Sequence, residues 1–217
     1  DLLSEISSGY LNLVEAALDV AGAPLTPEDI LTRVGMDEEG ERQLMLFSLN
    51  YALQQDERFD EVGPAGQVLW FLHGMEPAEI VFPPERLRCL SVEASAHVLT
   101  PELEQIALHL HDEFSLQPDS QVMEGPVELV LTYPHRRLGT LPLSARTEHI
   151  FPTAFISPRI NITLRDKLSG EQLPGWVVQR QRFVSGLRPL YEKYAVPSGA
   201  RITLLPGDEP REAVVSI

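Results

Sequence analysis

Apolar positions recur every three or four residues in the first part of the chain. In the last part they collect into short β-rich runs. Leu11, Val14, Leu18 and Ala21 share one face over residues 10–21, and Gly22 with Pro24 just beyond stops that helix. In PLTPEDILTRVGM, Thr26 is suited to the N-cap and Pro27 to the first helical position, while Glu28 and Asp29 suit the positive helix start. This short helix offers Ile30, Leu31 and Val34 to a core and ends at Gly35. A third helix is expected from about Glu38 to Gln55, with Leu44, Phe47, Leu49, Tyr51 and Leu53 wide enough around it to be largely buried. Phe59 and Val62, the GPAG turn, and then Val68, Leu69, Trp70, Phe71 and Leu72 predict a hairpin. Three helices followed by a hairpin make a winged helix-turn-helix.

Residues 74–100 read as a connection, with VFPPERLRC extended across a surface. Thr100, Pro101 and Glu102 start another helix, whose buried stripe would be Leu103, Ile106, Leu110 and Phe114. From about residue 125 the pattern changes. PVELVLTY, LGTLPLS, RINITLRD, GWVVQRQ, ARITLLP and EAVVSI are short, β-rich and separated by Pro, Gly, Asp or Ser. One helix interrupts them near SGLRPLYEKYA, where Leu187, Leu190, Tyr191 and Tyr194 share a face. Such a set suggests a small barrel. The expected fold class is therefore α+β. It has a winged helix over residues 1–75, a connector with one helix over 76–124, and a small β-barrel with one or two helices over 125–217.

Composition narrows the classes. At 43% hydrophobic and 23% charged residues the 217-residue chain is globular rather than disordered. Its single cysteine, Cys89, excludes an intrachain disulfide framework and a cysteine-rich zinc site. No run nears the roughly 18 apolar residues of a membrane span. The start, DLLSEISSGY, lacks the basic and apolar regions of a signal peptide, so a cytoplasmic setting is expected. It also lacks an initiator Met, which suggests a trimmed chain or a piece of a longer one.

Net charge is −15, but it is unevenly spread. Residues 1–75 hold 14 acids and 3 bases; residues 125–206 hold 11 bases and 5 acids. An acidic half repels phosphate and a basic half attracts it, although each half could equally just carry a solvated face.

The first half has a helix starting at LTPEDI, a longer third helix, and a hairpin carrying Phe59, Val62, Gly63, Gly66 and Trp70. On these features residues 8–73 resemble the HARE-HTH domain, a winged helix found beside restriction endonucleases and in the delta subunit of bacterial RNA polymerase. The helix that should read DNA departs from that role. DEEGERQLMLFSLNYALQQDE holds Arg42 alone among six acids. Protein docking or a structural role is thus favoured over groove reading, because phosphate attraction dominates affinity.

In the second half LGTLPLSARTEHIFP precedes a strand, a turn, GWVVQ and FVSGLRPLYEKYAVPSGARITL. Phe151, Pro152, Trp176, Phe183, Gly186, Leu190, Tyr191, Val196 and Gly199 sit where the plant B-three-type DNA-binding pseudobarrel has matching residues. Ala200 stands where that family has Asp, and Leu187 where it has Trp. The resemblance implies DNA held in the major groove by two loops, here YPHRRLG with Arg136 and Arg137, and DKLSGEQLPG with Lys167 and Arg165 at its root.

Elementary chemistry supports the same residues. An arginine is a rigid fork of donors matched to phosphate or guanine. Arg180 and Arg182 alternate in GWVVQRQ and would project from one strand face. Each has a bland alternative: Arg136 and Arg137 as a solvated tip, Arg180 and Arg182 as exposed strand residues, Arg165 paired with Asp166 or Glu171.

Other chemistry finds little support. His109 and His111 lie two apart on a helix and point in different directions; His73, His97 and His149 are isolated. Ser144 and Ser185 have no nucleophile elbow, and no phosphate-binding glycine loop occurs. The expectation is a non-enzymatic protein with no cofactor and no metal, of the bacterial regulatory or restriction-associated kind. It would bind double-stranded DNA through Arg136, Arg137, Arg165, Lys167, Arg180 and Arg182. The alternative is a protein-interaction module whose acidic N-terminal domain docks a partner such as an RNA polymerase subunit.

Overall fold

The computed structural model describes residues 7–36, 42–87, 100–110, 125–144 and 146–217. The expectations for Cys89, His97, His111, Phe114 and a third-helix start at Glu38 lie outside the described residues, as do the side chains of His109 and Leu110. The chain divides into two compact units: Asp1–Val81 with Ala154–Ser157, and Phe82–Thr153 with Pro158–Ile217.

The first unit holds α1 (Ser8–Ala21), α2 (Pro27–Val34), α3 (Arg42–Gln54), strands β1 (Phe59–Glu61) and β2 (Trp70–Leu72), a 3-10 turn (His73–Met75) and the short α4 (Ala78–Val81). Helix α2 starts as the sequence dictates. The Asp29 N–H donates to Thr26 Oγ1 at 3.1 Å, and the Thr26 hydroxyl donates to Asp29 Oδ2 at 2.8 Å. One orphan donor of the first turn is thereby satisfied. Thr26→Ala is expected to lower the stability of this unit by about 1 kcal/mol in urea denaturation, while Thr26→Ser leaves it nearly unchanged.

Strands β1 and β2 run antiparallel, with Phe59 opposite Leu72 and Glu61 opposite Trp70. Val14, Leu18, Ile30, Leu31, Leu49, Leu53, Phe59 and Trp70 form one buried cluster. The Trp70 indole N–H donates to Asn50 Oδ1 at 2.8 Å, which lets a polar-tipped ring sit in that core. Helix α3 departs from the expected broad burial. Leu49 and Leu53, four apart, face the core, whereas Leu44, Phe47 and Tyr51 turn outward at 38%, 61% and 50% exposure. The helix is two-faced because 3.6 residues per turn carry the two sets to opposite sides.

The second unit contains a 3-10 turn (Glu85–Leu87), α5 (Pro101–Leu110), β3 (Val127–Val130), α6 (Tyr133–Leu138), β4 (Thr140–Pro142), β5 (Arg159–Asp166), β6 (Gln172–Val178), β7 (Phe183–Ser185), α7 (Arg188–Lys193), β8 (Arg201–Pro206) and β9 (Glu212–Ser216). Its seven strands form one sheet in the order β3-β8-β9-β5-β6-β7-β4, curled into a half-barrel. Pairing is antiparallel throughout except between β5 and β9. Ile160, Ile162 and Leu164 point into the core in strict alternation with Asn161, Thr163 and Arg165. Val177, Val184, Leu190, Tyr191, Ile202, Leu204 and Val215 fill the rest.

All six β-rich runs form strands, and the protein is α+β with a barrel-like part. Four details differ from expectation. VFPPERLRC, read as extended, begins at the end of α4 and contains the 3-10 turn Glu85–Leu87. FVS, read as the lead into a helix, is strand β7. YPHRRLG, read as a loop, is helix α6. On α5, Leu103 and Ile106 are exposed rather than part of a buried stripe. No described helix is long and apolar enough to cross a membrane.

Candidate nucleic-acid interface

The six basic residues expected to share one surface fall into separate places in the sheet. Arg136 and Arg137 lie on α6. Thr132 sits at its N-cap position without a side-chain capping bond, Pro134 is in its first turn, and Gly139 lies just past its end at φ +73°, the same stop as Gly35 gives α2. Those signals were present in TYPHRRLG and identify the helix. Its inward residue is His135, 3% exposed, whose Nδ1 lies 2.8 Å from Thr140 Oγ1. Arg136 is half-buried, and its Nε donates to the Val196 carbonyl. The guanidinium therefore tethers α6 to the segment after α7. Arg137 is exposed and donates to the Tyr133 hydroxyl at 3.1 Å.

Arg165 is neutralised. Its Nε lies 2.7 Å from Glu212 Oε1, and its Nη2 lies 2.9 Å from Asp208 Oδ2. The partners are thus Asp208 and Glu212, not the adjoining Asp166 or Glu171. Lys167 is exposed on the tight turn from β5 to β6, and its N–H donates to the Val215 carbonyl at 2.9 Å. In this sheet DKLSGEQLPG joins the third and fourth strands of the unit. The fourth-to-fifth connection is Gln179–Arg182.

That connection carries Arg180 and Arg182, which lie on a turn between β6 and β7 rather than on one strand. Arg182 adopts φ +55°, a left-handed conformation unusual for a side chain of its size. The Arg182 carbonyl accepts from the Leu143 N–H at 2.8 Å, and the Gln179 N–H donates to the Pro158 carbonyl at 3.2 Å. These bonds fix the turn beside the exit of β4 and the entry of β5. Register then places Arg159, opposite Val178, at the same end of the sheet. No short sequence window contains this grouping; long-range register creates it.

Lys167 and Arg165 occupy the far end of the β5–β6 ladder. It runs from the Arg159–Val178 pair to the Arg165–Gln172 pair, about 20 Å at the usual rise per residue. Arg136 and Arg137 precede the start of β4 at Thr140, opposite to its exit toward Arg182. Among the described residues, neither Arg180 nor Arg182 is in an ion pair, in contrast to Arg165, Lys193 and Arg201. The turn is also rich in amide groups, from Gln179 and Gln181. No family model matches the chain, and no curated protein matches it.

Proposed function

We propose that the half-barrel unit binds double-stranded DNA without catalysing a reaction, through the end of the sheet that carries Gln179–Arg182. The observation that carries this reading is the pairing of two guanidiniums, Arg180 and Arg182, on one turn with no described carboxylate bound to either. Arginine forks suit phosphate and guanine, and the interleaved Gln179 and Gln181 are amides of the kind that pair with adenine. Of the residues first considered, Arg137 and Lys167 are outlying cations, and Arg136 and Arg165 serve the fold.

The first unit reads as a winged helix that docks a protein. Its third helix presents Leu44, Phe47 and Tyr51 outward, on a domain rich in acids. That combination fits a partner with an apolar patch ringed by bases, such as a polymerase subunit could offer, and repels phosphate.

The test is binding of a labelled duplex to the full chain, by fluorescence anisotropy across ~50 to ~200 mM salt. Arg180→Gln with Arg182→Asn is the variant of choice, because Asn tolerates the left-handed backbone at 182. It is expected to weaken binding by ~10-fold or more and to reduce the salt slope by about 1 to 2. Unchanged affinity and slope would remove the turn from the interface. A wild-type chain that ignores DNA even at low salt, yet recovers a protein through α3, would replace the DNA reading with the docking one.

A further inference from the structure

A second group of chemistry-bearing side chains lies in the first unit. His73 lies three residues before Glu76 in sequence, and the β1–β2 hairpin brings both to Asp60. The backbone sets this up. The β1–β2 hairpin ends at Leu72, and the His73 N–H donates to the Arg58 carbonyl at 2.9 Å, which holds the following 3-10 turn against the start of β1. The Glu76 N–H then donates to the His73 carbonyl at 3.3 Å, so the chain doubles back on itself at Glu76. One ligand atom from each of Asp60, His73 and Glu76 lies within 4.8 Å of the others.

The three side chains differ in burial in a useful way. Glu76 is only 7% exposed, so its carboxylate forms a floor. The side chains of His73 and Asp60 are 48% and 33% exposed, and Nδ1 of the ring lies 2.6 Å from Asp60 Oδ2. That contact holds an imidazole nitrogen and a carboxylate oxygen side by side, as two ligands of one ion must be. An ion with ligands at about 2.0–2.2 Å needs donor atoms no more than ~4.4 Å apart. The observed spacing is within a small side-chain rotation of that.

We propose that Asp60, His73 and Glu76 bind a divalent transition-metal ion of the zinc type, which clamps the 3-10 turn to β1. One imidazole with two carboxylates selects this class over magnesium or calcium, which take oxygen ligands. Three protein ligands leave at least one position open, so water completes the site.

Isothermal titration of the metal-stripped full chain with zinc ion alone tests the proposal, with circular dichroism to check that each variant is folded. Wild type should show one saturable site. His73→Ala should weaken it by ~10-fold or more, and His149→Ala, at an exposed histidine in the other unit, should leave it unchanged. Zinc should also raise the melting temperature of wild type and not of His73→Ala. Absence of a saturable site, an affinity equal in wild type and His73→Ala, or loss in His149→Ala instead would overturn the site. So would magnesium binding as tightly as zinc, which would mark only an acidic surface. None of these outcomes depends on whether the half-barrel binds DNA.

Discussion

Gly186→Ala is expected to destabilise the half-barrel by about 3–5 kcal/mol, a loss comparable to much of the stability of a small domain. Gly186 follows β7 at φ +115°, where a side chain is strained whatever the space around it. Space is also lacking. A Cβ there would lie 2.4 Å from the Pro174 carbonyl oxygen and 3.0 Å from Gly175 Cα, both backbone atoms of β6 that cannot rotate away. The close approach is what lets the chain leave β7, donate the Leu187 N–H to the Gly139 carbonyl at 2.9 Å, and enter α7 with Leu190 and Tyr191 buried. Gly170→Ala is the matched control. Gly170 also has positive φ, +72°, but nothing lies within 4 Å of an added Cβ, so only the conformational cost of about 1–2 kcal/mol applies. Urea denaturation followed by far-ultraviolet circular dichroism separates the two. Equal losses in both variants would show that crowding against β6 is not what Gly186 relieves.

The two classes of expectation fared differently for a physical reason. Local chemistry was legible. Thr26, Pro27 and Gly35 bracket α2 as their types require, and the β-rich runs became strands because Ile160, Ile162 and Leu164 alternate at the period of a pleated sheet. The same local rules identify α6 from Thr132, Pro134 and Gly139. Non-local arrangement was not legible. Arg165 finds Asp208 and Glu212, more than forty positions on, only because β5 lies beside β9 in parallel. Arg159 meets the Gln179–Arg182 turn only through the β5–β6 register, and Asp60 meets His73 only through the β1–β2 hairpin. The charge of a segment therefore does not show which of its cations are neutralised by carboxylates elsewhere in the chain. The exposed face of α3 was hidden for a related reason: the identity of Leu44, Phe47 and Tyr51 indicates burial, whereas the helix has only one side toward the core.

Asp166→Asn is expected to cost about 2–4 kcal/mol at neutral pH, and that cost should shrink in acid. Asp166 ends β5 and is 1% exposed. Burial pushes its carboxyl up, but this is outweighed by hydrogen bonds from the Ser169 hydroxyl, the Tyr194 hydroxyl, the Leu168 N–H and Lys193, which hold it well below the usual carboxylate range. Lys193 Nζ also donates to Glu171 Oε2 at 2.8 Å, so one anchor joins α7 to the turn that presents Lys167. A group whose folded pKa lies below its unfolded value of about 3.9 stabilises the fold fully above that value, and less as pH falls toward the folded one. The gap between wild type and Asp166→Asn should thus be constant from pH ~7 to ~5 and narrow steadily below, as wild type loses the advantage that the amide never had. Urea midpoints at several pH values measure it. A gap that stays constant into strong acid, or widens, would mean that the carboxylate is not what holds the turn. The expected narrowing would identify Asp166 as the ionised anchor of the β5–β6 turn, and would separate that structural charge from the outward Arg180 and Arg182, whose substitution should leave the acid limb of the stability curve where it is.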